Sequence, residues 1–325
     1  MLTSAAECRC ALDDVLPEHP ALPGSRRGSA MSSVGLRAAR ERAEFDTARD
    51  RVVTRIALHP KYVDIDGTAV HYLHTGPTTL PDVPPALDRG ALLVLLHAAG
   101  STAGMWRRQL VGLGWTHSAL AVDLPGHGRS AGVDGPASVE ESAAIVLRVL
   151  DALRLRPCVL VGRSMGGAVA LVVASRAPER VRGLVLACSA ARFTLSDDVL
   201  ASARDVARGR LPQQFTTETF SPATGIDLMR EAWMEQVKTD PRVRYTDLVA
   251  CRAFDGRPLL PAIRVPTLVV AGADDGIAPV AQSEELAAGI AGAQLEVLAQ
   301  AGHQAPHEQS ERFNQLVAAF AERLG

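Results

Sequence analysis

Apolar residues fall along this chain in two rhythms. Short continuous runs rich in Val and Leu occur at Leu92 to Leu96, Ala119 to Val122, Cys158 to Val161, Gly183 to Ala187, Thr267 to Ala271 and Leu295 to Leu298. Runs of that length, apolar throughout, predict strands of a sheet covered on both faces. Between most of them lie helical stretches: Val139 to Leu153, Met165 to Ala177 and Val280 to Ile290. Ahead of them, Tyr62 to Ile65 and Ala69 to Leu73 flank Asp66-Gly67, a strong hairpin signal. Strands alternating with helices predict the α/β class, as a mostly parallel eight-stranded sheet flanked by helices.

One interval breaks that rhythm. Between Ala191 and Ile263 the chain runs for about 70 residues where one crossover helix would suffice, and a structureless loop of that length is improbable. Val199, Ala203 and Val206, and then Leu228, Ala232 and Val237, recur at helical spacing. The expectation is a helical cap over 191–263, inserted into an α/β core formed by 62–190 and 264–325. Residues 1–32, rich in Pro, Gly, Ser and Ala without periodicity, are expected to be a disordered extension. An N-terminal helical segment follows over 33–61, with its helix formers between Ser33 and Arg51, and Met31 is an alternative start.

Composition narrows the classes. The chain has 325 residues, 47% hydrophobic and 22% charged, with a net charge of -2 and no block of like charges. Nothing there favours nucleic acid or an acidic membrane surface, and no apolar stretch has the length of a membrane span. The five cysteines (Cys8, Cys10, Cys158, Cys188 and Cys251) are scattered and odd in number, which argues against a disulfide framework. Cys8-Arg9-Cys10 lacks a second pair at metal spacing, so no zinc site and no cofactor is expected. Glu7, Asp13 and Asp14 interrupt any signal-peptide pattern, and a cytoplasmic monomer or homodimer is the expectation.

The chemistry gathers at the ends of the expected strands. Gly162-Arg163-Ser164-Met165-Gly166 stands between a strand and a helix. A serine there occupies a tight turn whose close neighbours must be glycine, and the helix N-terminus favours negative charge nearby. Serine needs a base to take its proton, and Gly302-His303 follows the last expected strand. His307 lies four residues on, but Pro306 between them argues against the single helix that metal ligation would need. The base needs an acid to orient it, and Asp274 and Asp275 both follow the strand ending at Ala271. An oxyanion needs donors: the N–H of Met165, and a second from the loop His97-Ala98-Ala99-Gly100-Ser101, with Ala99 favoured and Ala98 second.

Together these residues resemble the α/β-hydrolase superfamily over roughly residues 62–323. His97-Ala98 corresponds to its usual His-Gly, and Asp123-Leu124-Pro125-Gly126-His127-Gly128-Arg129-Ser130 is similar to a recurrent loop in which His127 is structural. Gly272 to Pro279 fits the family's Gly-x-x-Asp-x-x-x-Pro pattern, and that resemblance selects Asp275 over Asp274 as the acid. Glu308 and Phe313 follow His303 at familiar spacing. Two departures are Ala98 in place of glycine and Arg163 in place of the common histidine before the nucleophile.

The resemblance to small carboxylesterases and enol-lactonases implies hydrolysis of a carboxylic ester or lactone of a small organic substrate through an acyl-enzyme. Ser164, Asp275 and His303 would be catalytic, with His97, Arg163 and Trp233 as candidate substrate contacts. Phe193, Phe215, Phe220 and Met229 are further candidates for an apolar pocket. Carbon–carbon bond hydrolysis of dienone acids uses the same three residue types, and lyases, cyclases and small-molecule receptors share the fold. Epoxide and haloalkane hydrolysis need an Asp nucleophile, which Ser164 is not.

Overall fold

A computed structural model of the chain describes residues 56–325. The extension over 1–32 and the helix expected between Ser33 and Arg51 lie outside the described residues. The first strand, β1 (His59–Ile65), forms a hairpin with β2 (Thr68–His74), and Ile65 pairs with Thr68 across the turn. Asp66 and Gly67 both take positive φ, 51° and 80°, the twist that a two-residue hairpin turn demands. The strand starts ahead of Tyr62, inside the segment expected to be helical. Pro60 and Lys61 had broken the apolar alternation, but an edge strand tolerates both. The Lys61 ammonium donates to Thr79 Oγ1 at 2.7 Å, Leu80 O at 2.6 Å and Val83 O at 2.5 Å.

The chain continues through β3 (Leu92–Leu96), α1 (Arg107–Leu113), β4 (Ser118–Val122), α2 (Val139–Ala152), β5 (Cys158–Arg163), α3 (Met165–Arg176) and β6 (Val181–Ala187). After β6 come three α-helices, α4 (Asp197–Ala207), α5 (Ile226–Gln236) and α6 (Pro241–Ala253), and a short 3-10 helix, Arg257–Ala262, before β7 (Thr267–Gly272). The chain ends with α7 (Val280–Gly289), β8 (Gln294–Leu298), α8 (Ala305–Glu308) and α9 (Ser310–Glu322). The sheet has eight strands in the order β1-β2-β4-β3-β5-β6-β7-β8, parallel from β4 through β8. No helix among the described residues is long and apolar enough to cross a membrane.

Alternation along the strands sorts the core into two layers. Leu92, Val94 and Leu96 of β3 face α2, α3 and α7 through Val146, Val169 and Leu286. Leu93 and Leu95 face the other way, toward Trp106, Leu110 of α1 and Phe313 and Val317 of α9. Each fully buried Leu or Val contributes about 1.5–3 kcal/mol by leaving water. The outer strand β8 departs from the expectation of burial on both faces: Val297 is 46% exposed, because an edge strand has a neighbour on one side only.

The helices between β6 and β7 include one not read from the sequence, α6. Asp240 caps it by accepting Arg242 N–H at 2.8 Å, and Pro241 sits at its first position. Its buried face runs Val243, Asp247, Ala250, Cys251, so a charged residue interrupts the apolar stripe that would have announced it.

The topology itself indicates where a ligand belongs. After β3 the chain goes to β4 on one side and returns to β5 on the other, so strand order reverses at β3. In open α/β sheets the crevice beyond the strand ends at such a point receives the ligand. The loop His97–Ser101 leaves β3 there, and Ser164 leaves β5 beside it.

Candidate functional site

Ser164 is the single residue between β5 and α3, with φ 52° and ψ -119°. A side-chain-bearing residue there is strained, and its surroundings must hold it. Its N–H donates to Ala187 O at 2.9 Å, while its carbonyl accepts Gly167 N–H at 2.9 Å and Ser189 Oγ–H at 2.8 Å. The turn closes so tightly that a Cβ on Gly166 would stand 2.7 Å from the His97 carbonyl oxygen and would collide with that of Leu96. A Cβ on Gly162 would collide with the Gly166 carbonyl.

Two acids follow β7 and take different partners. Asp275 accepts His303 Nδ1–H at 2.9 Å on Oδ2, and the N–H groups of Ile277 and Ala278 on Oδ1, both at 2.8 Å. Asp274 turns toward the segment between β6 and β7, where its Oδ2 accepts Ser221 Oγ–H at 2.6 Å. With Nδ1 donating to Asp275, His303 keeps Nε2 as its acceptor nitrogen. The His303 loop is anchored by Glu308, whose Oε2 accepts Gly302 N–H at 2.9 Å. The other carboxylate oxygen of Glu308 accepts Ser221 N–H at 2.7 Å and Thr224 Oγ–H at 2.6 Å.

Ser164, His303, Ala98, Ala99 and Arg163 line one cavity of about 290 Å³, to which the helices between β6 and β7 contribute Val199, Ala232 and Leu248. In the loop after β3, Gly100 (φ 62°) donates its N–H to Asp247 Oδ2 at 2.7 Å, and Ser101 N–H reaches Ala98 O at 3.1 Å. Among the described residues the N–H groups of Ala98 and Ala99 meet no protein acceptor. Met165, as the first residue of α3, has no intrahelical acceptor for its own.

Arg163 is buried against the His303 loop. Its Nη1 donates to Gln304 Oε1 and reaches His303 O at 3.4 Å, and burial lowers its pKa from the ordinary guanidinium value. It braces the His303 loop from within the cavity wall.

Two of the expected substrate contacts, His97 and Trp233, are not among the residues that line this cavity. His97 is buried with both ring nitrogens engaged: Nδ1–H donates to Ala98 O at 2.9 Å and Nε2 accepts Leu124 N–H at 3.1 Å. Burial, reinforced by neighbouring His127, pushes its pKa down to about 4, so it is a neutral strut beneath the loop. Trp233 turns from the cavity to meet Phe215 edge-on at 5.9 Å. Of the aromatic and methionine candidates, Phe193 lines the cavity, while Phe220 and Met229 pack on Met105 and Ala232. His303 and His307 diverge, the latter directing Nε2 to Leu228 O at 3.3 Å.

Asp247, Glu308 and Arg244 are the participants that sequence reading left without roles. Asp247 had a usable signal, a lone acid four residues after Val243 and four before Cys251 on one helix face. As a chemical arrangement, the cavity offers a strained hydroxyl, an imidazole oriented by a carboxylate, and unpaired N–H groups, which suit acyl transfer.

Comparison with known proteins places this geometry among relatives. The profile of the alpha/beta hydrolase family matches residues 93–316. The RutD protein of Azorhizobium caulinodans, named for carbamate hydrolysis, is 31% identical over 241 residues, covering 71% of this chain and 91% of its own. A pimeloyl-[acyl-carrier protein] methyl ester esterase of Neisseria meningitidis is 30% identical over 241 residues, covering 70% of this chain and 92% of its own. The crystal structure of the enol-lactonase from Burkholderia xenovorans LB400 superposes with a TM-score of 0.69 at 29% identity, covering 80% of this chain and 98% of that one.

Proposed function

The chain belongs to the alpha/beta hydrolase family, and from that premise we propose that it cleaves a carboxylic ester or lactone of a small organic substrate through an acyl-enzyme. The observation that carries the reading is the placement of Ser164, at φ 52° on the strand-to-helix turn, in one cavity with a His303 held by Asp275.

In this reading the segment 191–263 is a cap over the cavity. Ser164 Oγ attacks the acyl carbon as His303 Nε2 takes its proton. Asp275 keeps the imidazole in the tautomer whose acceptor nitrogen faces the cavity, and stabilises the imidazolium that forms. The developing oxyanion is received by N–H groups of Met165 and Ala99, with Ala98 adjacent, aided by the α3 N-terminus. His303 then returns its proton to the departing alkoxide or enolate oxygen. Water, deprotonated by the same nitrogen, releases the acid and restores Ser164.

A fluorophosphonate probe tests the assignment. The folded protein is expected to label at Ser164, and Ser164→Ala to lose both labelling and ester turnover. Folded protein that resists the probe sinks the reading.

A further inference from the structure

Two arginines, Arg163 and Arg244, line the cavity together with Ser164, and no Asp or Glu among the described residues does. Arg163 is engaged by Gln304 and the His303 carbonyl. Arg244, on α6, is not so provided. The two other arginines of that helix have acids: Arg242 pairs with Asp240 at 2.7 Å, and Arg252 pairs with Asp197. Arg244 has no such partner among the described residues, and Asp247, one turn further on, is already taken by His127 and Gly100 N–H.

The Arg244 stem packs against the loop after β3. It lies along Gly100 so closely that a Cβ at that position would stand 2.8 Å from its Cβ and 2.9 Å from its Cδ. Burial lowers the Arg244 pKa with no carboxylate to offset it. A largely desolvated cation without a counter-charge is costly, and an anion entering the cavity removes that cost.

We propose that the substrate of this cavity carries a free carboxylate, held by the Arg244 guanidinium while the ester or lactone carbonyl faces Ser164. The proposal rests on the hydrolase reading above and adds the substrate class. A planar guanidinium meets a carboxylate with two parallel hydrogen bonds, which orients as well as attracts. Phe193, Leu195, Val199 and Leu248 supply apolar wall for the carbon chain between the two ends.

The test compares the mono-4-nitrophenyl ester of glutaric acid with its methyl-capped, neutral counterpart. At low salt kcat/KM is expected to favour the acid by on the order of tenfold, and the preference to shrink in about 0.5 M NaCl. In Arg244→Gln the ratio is expected to approach one, and in Arg244→Lys to fall between. A wild-type ratio of one or less, or a ratio indifferent to residue 244, overturns the proposal. If neither ester turns over and Ser164 resists the fluorophosphonate, the hydrolase reading fails by itself. Calorimetric titration with glutarate then decides the anion site: binding by wild type but not by Arg244→Gln supports it, and no binding by wild type refutes it.

Discussion

His127, in the loop after β4, places Nε2 2.7 Å from Asp247 Oδ2 on α6, and both side chains are essentially buried. The same carboxylate oxygen accepts Gly100 N–H at 2.7 Å, so one acid fastens α6 to two loops at the carboxyl edge of the sheet. Burial works against a charge on His127, but Asp247 overcomes it and raises the imidazole pKa above its ordinary value. A group whose folded pKa is raised contributes stability that is full below its unfolded pKa and lost as pH rises through the folded one. Wild type is therefore expected to lose this part of its stability above about pH 6.5. Asp247→Ala is expected to flatten that loss and to cost about 3 kcal/mol at neutral pH. Urea melts of both proteins between pH 6 and 9 read both effects.

Asp274 and Asp275 are adjacent in sequence and bind different partners, so their variants separate. Asp275→Asn replaces an acceptor of the His303 Nδ1–H with a group that can present a donor instead, and kcat is expected to fall roughly 10³–10⁴-fold. Asp274→Asn weakens a hydrogen bond to Ser221 and is expected to leave kcat within about tenfold of wild type. Steady-state kinetics on a 4-nitrophenyl ester rank the two. The reverse order refutes the choice of Asp275.

Acid is expected to act on the buried neutral histidines. His97 and His307 are held near pKa 4, mainly by burial. Between that value and the ordinary 6.5 the unfolded chain binds protons that the folded one does not, so stability rises with pH across the window. Each such group contributes a slope of at most about 1.4 kcal/mol per pH unit. His97→Asn is expected to lower the slope by nearly that amount, measured as urea midpoints from pH 4.5 to 7. An unchanged slope refutes the assignment of His97 as a neutral strut.

Glu308 holds the His303 loop and the segment between β6 and β7 with one carboxylate, through Gly302 N–H, Ser221 N–H and Thr224 Oγ–H. Glu308→Ala leaves those donors without their acceptor and is expected to cost about 1–3 kcal/mol. Because the donors belong both to the His303 loop and to the segment between β6 and β7, other residues of which line the cavity, KM is expected to rise and kcat to fall together. A stability loss with intact kinetics would show that Glu308 acts on folding alone.

The sequence was most legible where burial is symmetric. The strands from β3 to β7 lie under helices on both faces, so their central residues are apolar and the polar ones (Ser118, Arg163, Arg182 and Thr267) stand at or next to the strand ends, and the fold class and the family resemblance are borne out. Direction was less legible than neighbourhood. Ala232 lines the cavity, but its neighbour Trp233 is turned about 100° around the helix and meets Phe215 instead. His97 stands in the right loop with both ring nitrogens already committed to main chain, which spacing cannot reveal. Arg244 was illegible for the opposite reason. An arginine on a polar helix reads as solvated until the tertiary structure places it on the cavity wall with no acidic partner among the described residues.

The arrangement on α6 divides labour between positions three apart. Residue 247 moors the helix to the β3 loop, while residue 244 alone among its arginines is presented to the cavity. If Arg244 holds a substrate carboxylate as proposed, a lineage can exchange residue 244, and with it the charge of the molecules admitted, while Asp247 keeps the mooring. Substrate range on this scaffold becomes an evolvable trait separable from foldability, and position 244 is the natural starting point for a library that seeks new substrates.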